Sequence, residues 1–161
     1  MRPCPAPLVR HHQARLLARP RRALPGRRLL HFVDSAASRV YVFDVDPVRG
    51  ETANRRVLIE THPQEGRPNG LTVDAEGIWC AMWDGWAIRR YTPDGGLDAV
   101  VRLPVPRPSS CIFGGDDLAT PYVTTGRIRL LAKHLAEAPL SDSLFAFRPG
   151  VPGLPAATFA G

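Results

Sequence analysis

Cysteine is scarce. Cys4, Cys80 and Cys111 are the only three in 161 residues, and their odd number and wide spacing exclude a disulfide framework and a paired-cysteine zinc site. Cys80 and Cys111 lie in apolar runs and read as small buried hydrophobes, which fits a reducing, cytoplasmic setting. No run approaches the roughly 18 uninterrupted apolar residues that a membrane helix needs, so no membrane partner is expected. Acid is absent before Asp34. The eight arginines of positions 1–33 (Arg2, Arg10, Arg15, Arg19, Arg21, Arg22, Arg27 and Arg28) therefore account for the net charge of +6, leaving 13 basic against 15 acidic residues beyond them.

That arginine head, taken as residues 1–28, carries five prolines and no aromatic residue before Phe32. It offers phosphate contacts but nothing on which bases could stack, and no nucleic-acid partner is expected. A disordered or irregular segment is predicted there, and residues 1 to about 22 read as an out-of-frame translation ahead of the domain. The domain proper is residues 29–161.

Proline (17) and glycine (14) are plentiful and punctuate that domain. Short apolar runs alternate with turn signals every 8–12 residues or so, the pattern of an all-β meander. Strands are predicted over 29–33, 39–45, 56–60, 70–73, 78–82, 87–91, 99–103, 110–113, 121–124 and 144–147. Turns are expected at Asp46-Pro47, Pro68-Asn69-Gly70, Glu76-Gly77, Asp84-Gly85, Asp94-Gly95-Gly96, Gly114-Gly115 and Pro149-Gly150. Ile128, Leu131 and Leu135 have helical spacing and predict a short helix or lid-like insertion over Arg127–Ala138. The histidines (His11, His12, His31, His62 and His134) show no metal-like spacing and default to surface or loop roles.

A weak repeat runs through the strands. Asp34, Asp84 and Thr125 each close one apolar run and precede another, at intervals of 50 and 41 residues. A period of about 40–50 residues with several strands per unit is what propeller blades show. Two to three such blades cannot close a ring, so exposed strand edges and self-association through them are expected.

Several ordered motifs sharpen this. The segment Arg67-Pro68-Asn69-Gly70-Leu71-Thr72-Val73-Asp74 leads into Trp79-Cys80-Ala81-Met82-Trp83-Asp84-Gly85 and then Thr92-Pro93-Asp94-Gly95. Leu103-Pro104-Val105 precedes Ser109-Ser110-Cys111-Ile112-Phe113-Gly114-Gly115, and Tyr122-Val123-Thr124 follows. Val151-Pro152-Gly153-Leu154-Pro155 and Phe159-Ala160-Gly161 close the set. Together they resemble the C-terminal half of the gluconolactonase/regucalcin (senescence marker protein) family.

The resemblance implies a six-bladed β-propeller, of which about three blades are present here. It also implies one divalent cation (Ca, Zn, Mn or Mg) at the channel mouth and metal-dependent hydrolysis of a sugar lactone. The family's metal ligands are a first-blade Glu, a mid-chain Asn and the Asp of a Pro-Asp-Gly turn that doubles as the base. Here Asn69 stands at that Asp position. No acid precedes Asp34, and no Asn lies near Arg19 where the mid-chain ligand should fall. Asn69 is thus the one catalytic and metal-site candidate, in altered form: an amide oxygen can coordinate calcium but cannot take a proton near neutral pH, and a general base contributes roughly 10²–10⁴ in rate. Trp83, Asp84, Ser109 and Ser110 are the candidate substrate-pocket residues. With no histidine tied to Ser109 or Ser110, no nucleophile constellation is read from them.

Overall fold

The computed structural model describes residues 28–155 and the backbone of 12–17. These form eleven strands in three antiparallel sheets. The first sheet runs in order from β1 (His12–Leu17) through β2 (Arg28–Asp34) and β3 (Arg39–Val45) to β4 (Thr52–Glu60). The second comprises β5 (Arg67–Val73), β6 (Ile78–Trp83), β7 (Ala87–Tyr91) and β8 (Leu97–Arg102). The third holds β9 (Pro108–Gly114), β10 (Thr120–Thr125) and β11 (Phe145–Ala146). Each sheet is a plain up-and-down meander with its first strand innermost; β5 lies against both β1 and β9.

The second sheet is the centre of the stack, and its strands show why. All five residues from Ile78 to Met82 are buried. The alternation of side chains sends Cys80 and Met82 to one face and Trp79 and Ala81 to the other. On the first face, Leu71, Cys80, Met82 and Tyr91 pack with Val33, Val40 and Ile59 of the first sheet. On the other, Trp79, Ala81 and Ile88 pack with Cys111, Phe113 and Val123 of the third. A strand covered on both faces reads as a continuous apolar run. Among the described residues the outer sheets are covered once, and β10 accordingly alternates buried with exposed residues from Pro121 to Thr125.

Polar groups staple this core at one point. Asp74, its side chain 1% exposed, accepts from Arg90 Nε at 2.8 Å and Nη2 at 3.0 Å, from Trp79 Nε1 at 2.7 Å and from the Glu76 amide at 2.6 Å. Arg90 also pairs with Asp98 and lies over the Trp79 ring, 5.7 Å from its centroid. Trp79 in turn meets Phe113 edge-on at 6.1 Å and Phe147 at 5.7 Å. The carboxylate and the guanidinium satisfy one another, so neither charge is buried unpaired. The chain returns to the same spot: Asp74 bridges Gly153, and the Leu154 amide reaches the Val73 carbonyl.

The predicted strands fall where the observed ones do, with informative differences. Part of the arginine head expected to be irregular is a strand: β1 pairs residue for residue with β2, from His12 opposite Asp34 to Leu17 opposite Leu29. Sheet pairing supplies the regularity that composition does not. Residues 1–11, 18–27 and 156–161, and with them Cys4, His11, the Arg19 position and the Phe159–Gly161 ending, lie outside the described residues. The turn expected at Pro68-Asn69-Gly70 lies inside β5, as taken up below. The helical segment is shorter than expected: α1 spans Ala132–Glu137, while Ile128 and Leu131 are 63% and 60% exposed and give it no buried stripe. His31, expected at the surface, is buried on β2. Cys80 and Cys111 are buried thiols outside any disulfide, as expected, and burial pushes Cys80 up to about 12.

Two outcomes follow. Asp74→Ala strands Arg90 and Trp79 Nε1, and should lower unfolding stability by about 3–5 kcal/mol in urea titration; a loss below about 1 kcal/mol would contradict the staple. Burial, then the nearby Arg56 charge, lowers His31 from 6.5 to about 4. The unfolded chain therefore binds the proton first, so stability is full above pH 6.5 and falls as the pH drops toward 4. His31→Gln should flatten that part of the melting-temperature profile.

Candidate functional site

The antiparallel register places one set of connections together. The start of β5 pairs with the end of β6, with Arg67 opposite Trp83. The end of β10 pairs with the start of β9, with Thr125 opposite Pro108. Thr61 Oγ1, at 3.4 Å from the Ser38 carbonyl and 3.2 Å from that of Gly66, ties the turn after Asp34 to the same end. Asp34, Asp84 and Thr125 therefore close the second strand of each sheet on one rim: the sequence repeat is real, and it marks that rim.

Asn69 stands there on the innermost strand of the central sheet. Pro68 pairs with Met82 and Leu71 with Cys80, so Asn69 and Gly70 together oppose Ala81 alone. This is a β-bulge, a device that re-aims side chains and is frequent beside active sites. Asn69 is half-buried, and its backbone N–H points at the Cys80 thiol, working against the burial effect there. Gly70 is required by contact: a Cβ would lie 2.5 Å from the Ser110 Cα and 2.3 Å from its hydroxyl. The bulge thus brings Asn69-Gly70 against Ser110 of β9, two candidates far apart in sequence.

The other candidates form a second group on the rim. The Ser109 hydroxyl pairs with Thr124 Oγ1 at 2.9 Å. Asp84, in a left-handed turn conformation with φ of 60°, accepts from Arg107 Nε at 2.6 Å. Arg107 also lies over the Trp83 ring at 5.2 Å and donates to the Ile128 carbonyl. Sequence reasoning missed Arg107, since no local spacing signals a contact between positions 84 and 107. It latches the segment preceding α1 to the central sheet.

The fit to a divalent cation is poor. Calcium takes six to eight oxygen donors. Asn69 offers one amide oxygen, Asp84 is engaged by Arg107, and among the described residues no three His, Cys, Asp or Glu side chains converge. These residues do not make the ion site that the resemblance implies.

Three antiparallel sheets stacked face to face around their first strands are blades of a partial β-propeller. The chain belongs to the SMP-30/Gluconolactonase/LRE-like family, whose region matches residues 24–127. It is 35% identical over 137 residues to regucalcin of Danio rerio, covering 83% of this chain and 46% of that one. It is 36% identical over 139 residues to 6-deoxy-6-sulfogluconolactonase of Pseudomonas putida, covering 85% and 47%. The crystal structure of a calcium-binding protein, regucalcin from Agrobacterium tumefaciens, superposes with a TM-score of 0.74 at 27% identity, over 80% of this chain and 44% of that one. The chain spans about half the length of the curated relatives it matches.

The bulge contact is testable without any ligand. Gly70→Ala must displace Ser110 backbone and should cost about 1–3 kcal/mol, whereas Gly50→Ala, where a Cβ meets nothing, carries only the turn strain of its positive φ. Equal melting temperatures for wild type and Gly70→Ala would refute the close approach.

Proposed function

We propose that this chain is a lactonase-type propeller domain whose rim at Asn69 corresponds to the lactone-facing end, and whose hydrolytic power is impaired. Membership in a family that includes a sulfogluconolactonase supports the substrate class, an anionic or neutral sugar lactone. The observation that carries the reading is Asn69 itself: a half-buried residue on an inner-strand bulge that lies against Ser110, with an amide where the resemblance calls for a carboxylate.

The chemistry follows from that exchange. Opening a cyclic ester by water requires a group to accept the water's proton as the oxygen attacks. An amide accepts a hydrogen bond and orients the water, but does not take the proton. Asn69 would therefore position water or a lactone hydroxyl, and the Ser110 hydroxyl against the bulge would orient the ring oxygens. The described donors do not make a site for a metal ion. The compartment is proposed to be cytoplasmic, in keeping with Cys80 and Cys111 standing outside any disulfide.

Glucono-lactone opening, followed by acid release with and without added Ca²⁺ or Mn²⁺, tests the reading. Wild-type protein should hydrolyse slowly, and Asn69→Asp should raise the rate at least about tenfold, with the gain appearing as the pH rises through the carboxylate range. A folded Asn69→Asp protein no faster than wild type would overturn the reading in favour of a non-catalytic domain.

A further inference from the structure

Arginines collect on the rim close to Asn69. Arg67 lies two residues before Asn69 on β5, roughly 7 Å along the strand. It stands directly opposite Trp83, so the two side chains share a face. Arg107 lies over the Trp83 ring at 5.2 Å, and a Cβ on Gly126 would stand 3.1 Å from the same ring. Arg127 follows directly, and the Gly126 amide donates to the Arg107 carbonyl at 2.9 Å. Arginines from three separate segments therefore come together around one tryptophan. Their charge is poorly balanced. Asp84 is taken by Arg107, and Glu65, two residues from Arg67, is held by Arg89. Arg67 and Arg127 are exposed and have no acidic partner among the described residues. The turn that carries Asp84 is strained as well: Asp84 and Trp86 hold φ of 60° and 56°. Left-handed backbone is rare at a residue as bulky as tryptophan, and where such strain persists it clusters at ligand clamps and other functional sites.

Resting on the reading of Asn69 as the lactone-facing residue, we propose that this arginine group selects sugar lactones that carry a tetrahedral oxyanion, such as a phosphate, at the end remote from the ester. The spacing of Arg67 from Asn69 suits the length of a six-carbon sugar, so a ring carbonyl at Asn69 places its far substituent at Arg67. A guanidinium presents paired N–H donors that match two oxyanion oxygens at once. Arg107 is fixed in advance by Asp84 and the Ile128 carbonyl, so little freedom is lost when it meets the anion. Arg67 supplies the unpaired charge. An oxyanion between them relieves the repulsion of like charges that the bare rim carries.

Isothermal titration calorimetry of the full chain with 6-phosphogluconate, gluconate and inorganic phosphate tests this, since a product acid binds whether or not hydrolysis occurs. 6-Phosphogluconate should bind at least about tenfold more tightly than gluconate, and its affinity should fall as salt rises. Arg67→Gln breaks no ion pair among the described residues, and circular dichroism should show it folded. It should remove that advantage while leaving gluconate binding within about twofold. Arg49→Gln, at an exposed position after β3 and away from the rim, should change neither affinity. Equal affinity for the two acids would overturn the proposal. An equal loss in Arg67→Gln and Arg49→Gln would overturn it too, because it indicates net charge alone. So would inorganic phosphate binding as tightly as 6-phosphogluconate, which indicates a free-phosphate site. The two readings fail separately. An inactive Asn69→Asp protein that still binds 6-phosphogluconate through Arg67 sinks the hydrolytic reading and leaves the sugar-oxyanion site standing. An active one without preference for 6-phosphogluconate sinks the oxyanion site alone.

Discussion

Face-to-face cover of the central sheet is the constraint on which the rest of this structure depends. A strand such as Ile78–Met82, buried on both sides, has no stable arrangement unless two other sheets lie against it. The first sheet supplies Val33, Val40 and Ile59 for one face, and the third supplies Cys111, Phe113 and Val123 for the other. Once that stack exists, the first strands of the sheets are neighbours, and the connections at one end gather into a rim. The site is a consequence of the packing: Gly70 meets Ser110, and Trp83 and Asp84 meet Arg107, because their sheets do.

The Asp74 staple supports the same stack from the opposite end. Burial alone would raise the Asp74 carboxyl, but hydrogen bonds from Arg90, the Glu76 amide and Trp79 outweigh it and hold it below the usual carboxylate range. The charge is thus kept ionised inside a largely apolar layer. The polar fastening thus sits at one end of the stack and the bulge, with its half-buried amide, at the other.

Much of this was legible in the sequence. The apolar runs around Val40, Trp79, Ile88 and Val123 identified the strands, because burial selects apolar residues there whatever lies elsewhere. The Asp34, Asp84 and Thr125 spacing identified the repeat, and the structure places all three at equivalent strand ends. Elements whose regularity comes from a partner were harder to see. β4 begins at Thr52, four residues before the predicted Arg56, because Thr52–Arg56 is an exposed outer strand whose polar sequence reads as a loop. β1 lies in an arginine-rich stretch, and its partner β2 provides its order. Pro68-Asn69-Gly70 carries turn chemistry, and only the pairing of Pro68 and Leu71 on either side reveals a bulge. Arg107 was invisible, since a latch between distant loops leaves no local pattern.

Amide hydrogen exchange on the isolated chain tests the central claim most directly. If stacking on both faces holds the fold together, amides of Ile78–Met82 and Ala87–Tyr91 will exchange slowest and at one common rate. Those of the outer strand Thr52–Glu60 will exchange far faster. Uniformly rapid exchange across the central sheet, or protection concentrated in the outer strands, would contradict the account.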